Sequence, residues 1–342
     1  MRLLIIGGTH FLGRALTEAA LDGGHDVTLF HRGRTYADDF PRARHLLGDR
    51  DGGLDALGSE TWDAVIDTCG FVPRLVRAAA ARLHDRVGLY TFISSVSVYA
   101  DPLPFGATED ARRIVLADPA VEAVTPETYG GLKTLCEDAA LEAMHGRALL
   151  LRPGLIVGPY DVSDRFPYWP RRIARGGRVL APGRPERGTQ FIDARDLAAF
   201  TLRTTERGIA GTFHVTGDAL PFGALLDTCR ATLHADATFE WVDEDFLLAQ
   251  SVTPYTELPL WLPAEDAAHD AVDCTRARAA GLTSRPLADT VRDTVAWDIA
   301  HPMESRPRKA GAPVSASMRT EREAELLALW DARSPRVVRA AT

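Results

Sequence analysis

Along the first 160 residues, short apolar runs alternate with stretches of helical spacing. Arg2–Ile6 is an apolar run closed by Gly7-Gly8, the pattern of a parallel strand covered on both faces. Phe11–Asp22 places Leu12, Ala15, Leu16, Ala19 and Ala20 on one side of a helix and stops at Gly23-Gly24. Strands are predicted at Asp26–Phe30, His45–Leu47, Trp62–Asp67 and Val87–Ser94, with a helix at Pro73–Leu83. A helix over Thr128–Met144 and a strand over Arg147–Val157 follow. This alternation predicts an α/β fold with a doubly wound parallel sheet. Beyond Gly158-Pro159 the pattern loosens. Phe191–Arg203 reads as a helix, Gly211–Thr216 as a buried strand and 218–300 as irregular helices. Residues 302–318, rich in Pro, Ser, Arg and Ala, read as a linker. In 319–342, a final helix at Glu321–Trp330 offers Leu326, Leu327 and Trp330 for docking.

The net charge of −8 argues against non-specific binding to nucleic acid or acidic membranes. Four cysteines stand far apart with no C-x-x-C, which fits reduced thiols in the cytoplasm. No H-x-x-x-H or H-E-x-x-H occurs, so no metal is expected. The opening apolar run is too short for a signal segment, and no stretch is long enough to span a bilayer.

The run LLIIGGTHFLG (residues 3–13) feeds a strand into a glycine turn and a helix, which gathers backbone N–H groups where a pyrophosphate would bind. Gly7, Thr9, His10, Phe11, Leu12 and Gly13 form this turn, with His10 where a middle glycine would sit. A plain strand–turn–helix would give the same spacing. After the second strand come Arg32 and Arg34, and no carboxylate is present for a ribose 2′-OH. Arginine there suits a 2′-phosphate, so NADP(H) is favoured over NAD(H). Asp49 and Arg50 are placed to meet an adenine or to cap a turn. Tyr129 and Lys133, four apart, share one helix face. A neighbouring ammonium lowers a tyrosine pKa from about 10, so the pair can exchange a proton nearer neutrality.

These pieces in order resemble the extended short-chain dehydrogenase/reductase superfamily, also called the NAD-dependent epimerase/dehydratase family. The matching residues are Gly7-Gly8-Thr9-x-Phe11-Leu12-Gly13, Ser94-Ser95-x-x-Val98-Tyr99, Tyr129-x-x-x-Lys133, Leu151-Arg152-Pro153 with Gly158-Pro159, and Phe191-Ile192-Asp193-x-x-Asp196-Leu197-Ala198. The resemblance implies a Rossmann domain with a smaller C-terminal substrate-binding lobe. The expected division is 1–158 plus 188–217 for the former and 159–187 plus 218–301 for the latter. It also implies catalytic roles. Tyr129 would be the general acid/base, Lys133 would hold the nicotinamide ribose, and Ser95 would bond the substrate oxygen. Family dehydratases carry an Asp-Glu pair where this chain has Val96 and Ser97, which disfavours elimination. An oxidoreductase on a polar metabolite is the first expectation, and an epimerase that retains its cofactor is the alternative. The non-glycine at position 10 is similar to an atypical branch that includes chloroplast stem-loop RNA-binding proteins, so a non-catalytic RNA-binding role is a third reading. Helices 73–83 and 128–144 pair across dimers in this superfamily, which implies a homodimer.

Residues 160–191 hold seven arginines among aromatics, a combination that grips bases and phosphates. Arg165, Tyr168, Trp169 and Gln190 are the substrate candidates here. Phe71 and Ser97, beside strand ends, join them. A solvated arginine-rich helix would fit 171–178 equally well.

Overall fold

The computed structural model describes residues 1–36, 38–264, 267–306 and 317–333. Most of the expected linker, 307–316, and the tail, 334–342, lie outside the described residues. Two compact units emerge. The first comprises Met1–Tyr160, Gln190–Ala219 and Ala268–Arg285. Its last segment was expected in the lobe.

This unit holds a parallel sheet built from β1 (Arg2–Ile6), β2 (Asp26–His31), β3 (Arg44–Leu47), β4 (Trp62–Asp67), β5 (Val87–Ile93), β6 (Ala148–Pro153) and the strand Gly211–Val215. Their spatial order is Gly211–Val215, β6, β5, β4, β1, β2, β3. On one face, α1 (Leu12–Asp22) and the helix Ala194–Glu206 bury Leu16, Leu197 and Phe200 against Leu3 and Ile5. On the other, α2 (Pro73–Leu83) and α3 (Pro126–Met144) bury Val76, Leu83 and Ala140 against Val65 and Phe92. The chain reverses its order between β1 and β4. That switch point is where an open α/β sheet leaves a crevice for a ligand.

Two predicted elements divide differently. The run Arg147–Val157 is not one strand. It leaves the sheet after Pro153, which has no N–H to extend a ladder, and Leu155–Val157 then pairs with Phe191–Asp193. Residues Phe191–Asp193, expected to open a helix, are therefore strand. The helix begins at Ala194, with the Asp193 side chain capping it by accepting the Arg195 N–H at 2.9 Å.

In the second unit, Gly177–Pro182 and Ala237–Val242 form a parallel pair accompanied by helices Tyr168–Ala174, Phe222–Thr232, Leu287–Ala300 and Thr320–Arg333. The last helix buries Leu326 and Leu327 and sets Trp330 against Phe246, as its apolar positions anticipate. Arg172 also reaches its Glu323, and Arg178 forks onto its Asp331 at 2.6 and 2.7 Å.

Candidate active site

The crevice at the switch point is a cavity of about 560 Å³. Its floor is the turn after β1. Gly7 and Gly8 have φ of +104° and +82°, which only glycine adopts readily. A Cβ on Gly13 would sit 2.7 Å from the Gly8 amide nitrogen, so α1 can start against the turn only without a side chain there. No acidic residue occupies the first turn of α1, which leaves its N-terminal N–H groups unneutralised. These features fit a pyrophosphate. Thr9 and His10 line the cavity, and the His10 ring stacks 6.4 Å from Tyr36. Leu12 instead faces the core, and Phe11 is partly buried beside it.

Arg32 and Arg34 line the far wall, exposed and without an ion pair among the described residues. Asp49 lines it too, with Oδ1 accepting the Asp51 N–H at 3.1 Å. Arg50 is committed elsewhere. It grips the fully buried Asp67 through two bonds of 3.0 and 2.9 Å, while the Tyr90 hydroxyl donates to the same carboxylate at 2.7 Å. Burial opposes the Asp67 charge, but Arg50 and these bonds hold its carboxyl below the usual range. Arg50 thus presents its edge to the cavity while its guanidinium pins β4 to the loop after β3.

Helix α3 begins with a reciprocal cap between Thr125 and Thr128, followed by Pro126 in the first turn. Its face at positions 129, 133 and 137 turns inward. The Lys133 Nζ donates to the Gly70 carbonyl at 2.9 Å and the Ile93 carbonyl at 2.8 Å. Burial pushes this amine down to about 8. Phe71 joins the pair: its ring lies 4.9 Å from the Lys133 Nζ and 6.4 Å from the Tyr129 ring. Phe71 also borders the cavity. Ser95, two residues beyond β5, accepts the Ser97 N–H at 3.1 Å and donates to the Ser97 hydroxyl at 3.0 Å. The proton on Ser97 Oγ is therefore the free one of the two.

Gly130 and Gly131 cost about 1 kcal/mol each in a helix interior. Their reason is steric. A Cβ on Gly130 would lie 2.1 Å from the Ser97 carbonyl oxygen, and one on Gly131 2.4 Å from Leu116. The serine loop rests directly on α3. Gly130→Ala gains helix propensity but must push loop and helix apart. We expect turnover to fall about 100-fold, since small misplacements of reacting groups cost that much. Cofactor fluorescence should be retained, and steady-state kinetics checks the loss.

The lobe residues are placed differently. Trp169 is fully buried, its indole N–H donating to the Pro259 carbonyl at 2.7 Å. Tyr168 packs edge-on against it, 3% exposed. Gln190, in the first unit, spends its amide inside the fold. Its NH₂ donates to the Gly217 and Val272 carbonyls, and its oxygen accepts the Val272 N–H at 3.0 Å. Arg165 lies 5.8 Å from the Tyr255 ring and donates to Ser163. Among the other arginines, Arg171 pairs with Asp164 and Asp298, and Arg187 with Glu244. The aromatic–arginine cluster is largely occupied in building its own unit.

Sequence reasoning passed over Cys69 and His31, which line the cavity, and Glu137, which shares the face of Tyr129 and Lys133. Glu137 could have been found by continuing the four-residue spacing one step. Among the described residues no group of His, Cys, Asp or Glu is placed to hold a metal ion, and no helix is long and apolar enough to cross a membrane.

Fold and cavity together define an α/β protein of the Rossmann type. The profile of the NAD dependent epimerase/dehydratase family matches residues 3–215, and the chain belongs to that family. The chloroplast stem-loop binding protein of 41 kDa b from Arabidopsis thaliana is 27% identical over 251 residues, 67% of this chain and 62% of that relative's length. Among solved structures, Bordetella bronchiseptica WbmG in complex with NAD and UDP shares 18% identity, with TM-score 0.67, covering 92% of this chain and 99% of that one. WbmH from the same organism, in complex with NAD⁺, shares 19% identity, with TM-score 0.65 and coverage of 87% and 98%. UDP-glucuronic acid 4-epimerase from Bacillus cereus, in complex with NAD, shares 16%, with TM-score 0.63 and coverage of 88% and 99%.

Proposed function

We propose that this chain is an NADP(H)-preferring oxidoreductase that interconverts a ketone and a secondary alcohol on a polar metabolite, such as a sugar or nucleoside derivative. The observation that carries the reading is the meeting of Tyr129 and Lys133 at Phe71, on the rim of the dinucleotide cavity. The nicotinamide supplies or accepts the hydride when bound. Tyr129 gives or takes the proton at the substrate oxygen, and Ser97, oriented by Ser95, donates a hydrogen bond to the same oxygen. The Lys133 ammonium favours the phenolate form of Tyr129 during that exchange. Val96 and Ser97 provide no carboxylate for elimination.

Arg32 and Arg34, without an ion pair among the described residues, support the 2′-phosphate preference. NADPH should quench or shift protein fluorescence at least about tenfold more tightly than NADH, the worth of one charge-assisted contact. Arg32→Ala should erase most of that margin. Tighter binding of NADH by the wild type would overturn the preference, and no binding of either would overturn the function.

A second reading, an epimerase working through a transient ketone, draws support from the NAD-bound and UDP-bound neighbours. It requires cofactor that copurifies and is not consumed. Stoichiometric NADPH loss with a ketone decides for the oxidoreductase.

A further inference from the structure

His31 closes β2 and lines the dinucleotide cavity, and the ring of His45, in β3, meets it edge-on at 5.0 Å. Their hydrogen bonds form a chain with one direction. The Gly33 N–H donates to His31 Nδ1 at 3.0 Å. His31 Nδ1 must then be bare, so its proton sits on Nε2 and is donated to His45 Nδ1 at 2.8 Å. His45 in turn carries its proton on Nε2 and donates to the Phe40 carbonyl at 2.9 Å. Every link requires both rings neutral. A proton added to His31 Nδ1 meets the Gly33 N–H head on, and one added to His45 Nδ1 meets the His31 N–H. The chain spans the turn that bears Arg32 and Arg34.

We propose that His31 and His45 are positioning residues for cofactor selection: their neutral, one-way chain holds the 32–34 turn so that its arginines face the cofactor's 2′-phosphate. The proposal rests on the NADP(H) reading above. It makes the selectivity itself fall with pH. Arg32 and Arg34 on the turn and Asp49 and Arg50 after β3 line the same cavity as His31, and Arg14 and its partner Asp39 flank Phe40. Burial, then the neighbouring His45, lowers the His31 pKa. His31 thus stays neutral to lower pH than a free imidazole, whose pKa is about 6.5, and its part of the chain is lost as pH falls through that lowered value.

The test compares NADPH and NADH affinities by fluorescence titration from pH 8 to pH 5.5 in wild type, His31→Leu and His31→Asn. Asparagine can still accept the Gly33 N–H through a two-residue turn but does not titrate. His31→Leu should lose about tenfold in NADPH affinity at pH 8 with NADH affinity within about twofold, one charge-assisted contact being worth that much. His31→Asn should keep most of the NADPH affinity at pH 8. Its decline toward pH 5.5 should be shallower than that of the wild type, reduced to the ionisation of the phosphate, whose second pKa is about 6. A wild-type NADPH:NADH ratio in His31→Leu overturns the proposal. If that variant does not fold, an unchanged pH profile in His31→Asn overturns it instead. A wild type that binds NADH but not NADPH removes both this inference and the cofactor preference, whereas selectivity insensitive to His31 removes this inference alone.

Discussion

Tyr129→Phe is expected to lower turnover by about 10³-fold, within the range a positioned general acid/base supplies, while leaving cofactor affinity within about twofold. The substitution deletes one oxygen. The ring remains beside Phe71, so packing changes little, and Tyr129 is not among the residues that line the dinucleotide cavity. A loss confined to kcat, measured with cofactor saturating, therefore isolates the proton transfer. A variant within threefold of wild type would mean that another group moves the proton, and the Ser95–Ser97 pair would be the next to examine.

The same pair predicts the pH profile. Burial brings the Lys133 amine down to about 8, against an ordinary value of 10.5. Its ammonium is present below about pH 8 and lost above it, so electrostatic support for a tyrosinate should decline as pH rises through that point. The stability contribution runs the other way. A depressed folded pKa means that the neutral amine suits the fold, so this group's contribution is complete above 10.5 and is lost as pH falls through about 8. At neutral pH the charged lysine is a cost, which its bonds to the Gly70 and Ile93 carbonyls offset.

Much of the first unit was legible because its signals are backbone signals. Apolar runs ended by glycine, and helical spacing ended by glycine or begun by proline, follow from chain geometry alone. The strands β1 and β4 and helix α2 fall where those signals put them. The strand at Phe191–Asp193 was not legible, because three apolar or capping residues before a helix read as its first turn. Only the chance to pair with Leu155–Val157, far away in sequence, makes them a strand. The substrate side was least legible. Arginine and tryptophan advertise ligand chemistry by type, yet Trp169 fills a core and Arg171, Arg172 and Arg187 close ion pairs. Residue type cannot say whether a guanidinium's partner is a phosphate or a neighbouring glutamate; only packing can.

That distinction sets the largest stability effect expected in the chain. Glu137→Ala should cost about 3–5 kcal/mol, because it strands a buried guanidinium. Arg152 on β6 is 4% exposed and Glu137 is 0% exposed, and they share bonds of 2.8 and 2.7 Å. Arg152 also donates to the Tyr99 hydroxyl at 2.6 Å and the Glu109 carbonyl at 2.8 Å. On the same helix, Glu142 pairs with Arg77, but both side chains are more than half exposed. Glu142→Ala should therefore cost no more than about 1 kcal/mol, the ceiling for most surface pairs. Urea unfolding of the two variants checks the contrast, and equal losses would show that the buried pair is not what fixes α3. Replacing both partners with apolar residues, Glu137→Leu with Arg152→Met, should regain part of the loss. It cannot regain all of it, since the Glu109 carbonyl would stay buried without its donor, at about 1–3 kcal/mol. The functional consequence follows from the spacing. Tyr129, Lys133 and Glu137 lie on one face of α3, so the clamp that holds Glu137 to the sheet also sets the rotation at which the tyrosine and lysine meet Phe71. A double variant that recovers stability but not turnover would separate the two roles of that pair, holding the helix and aiming it.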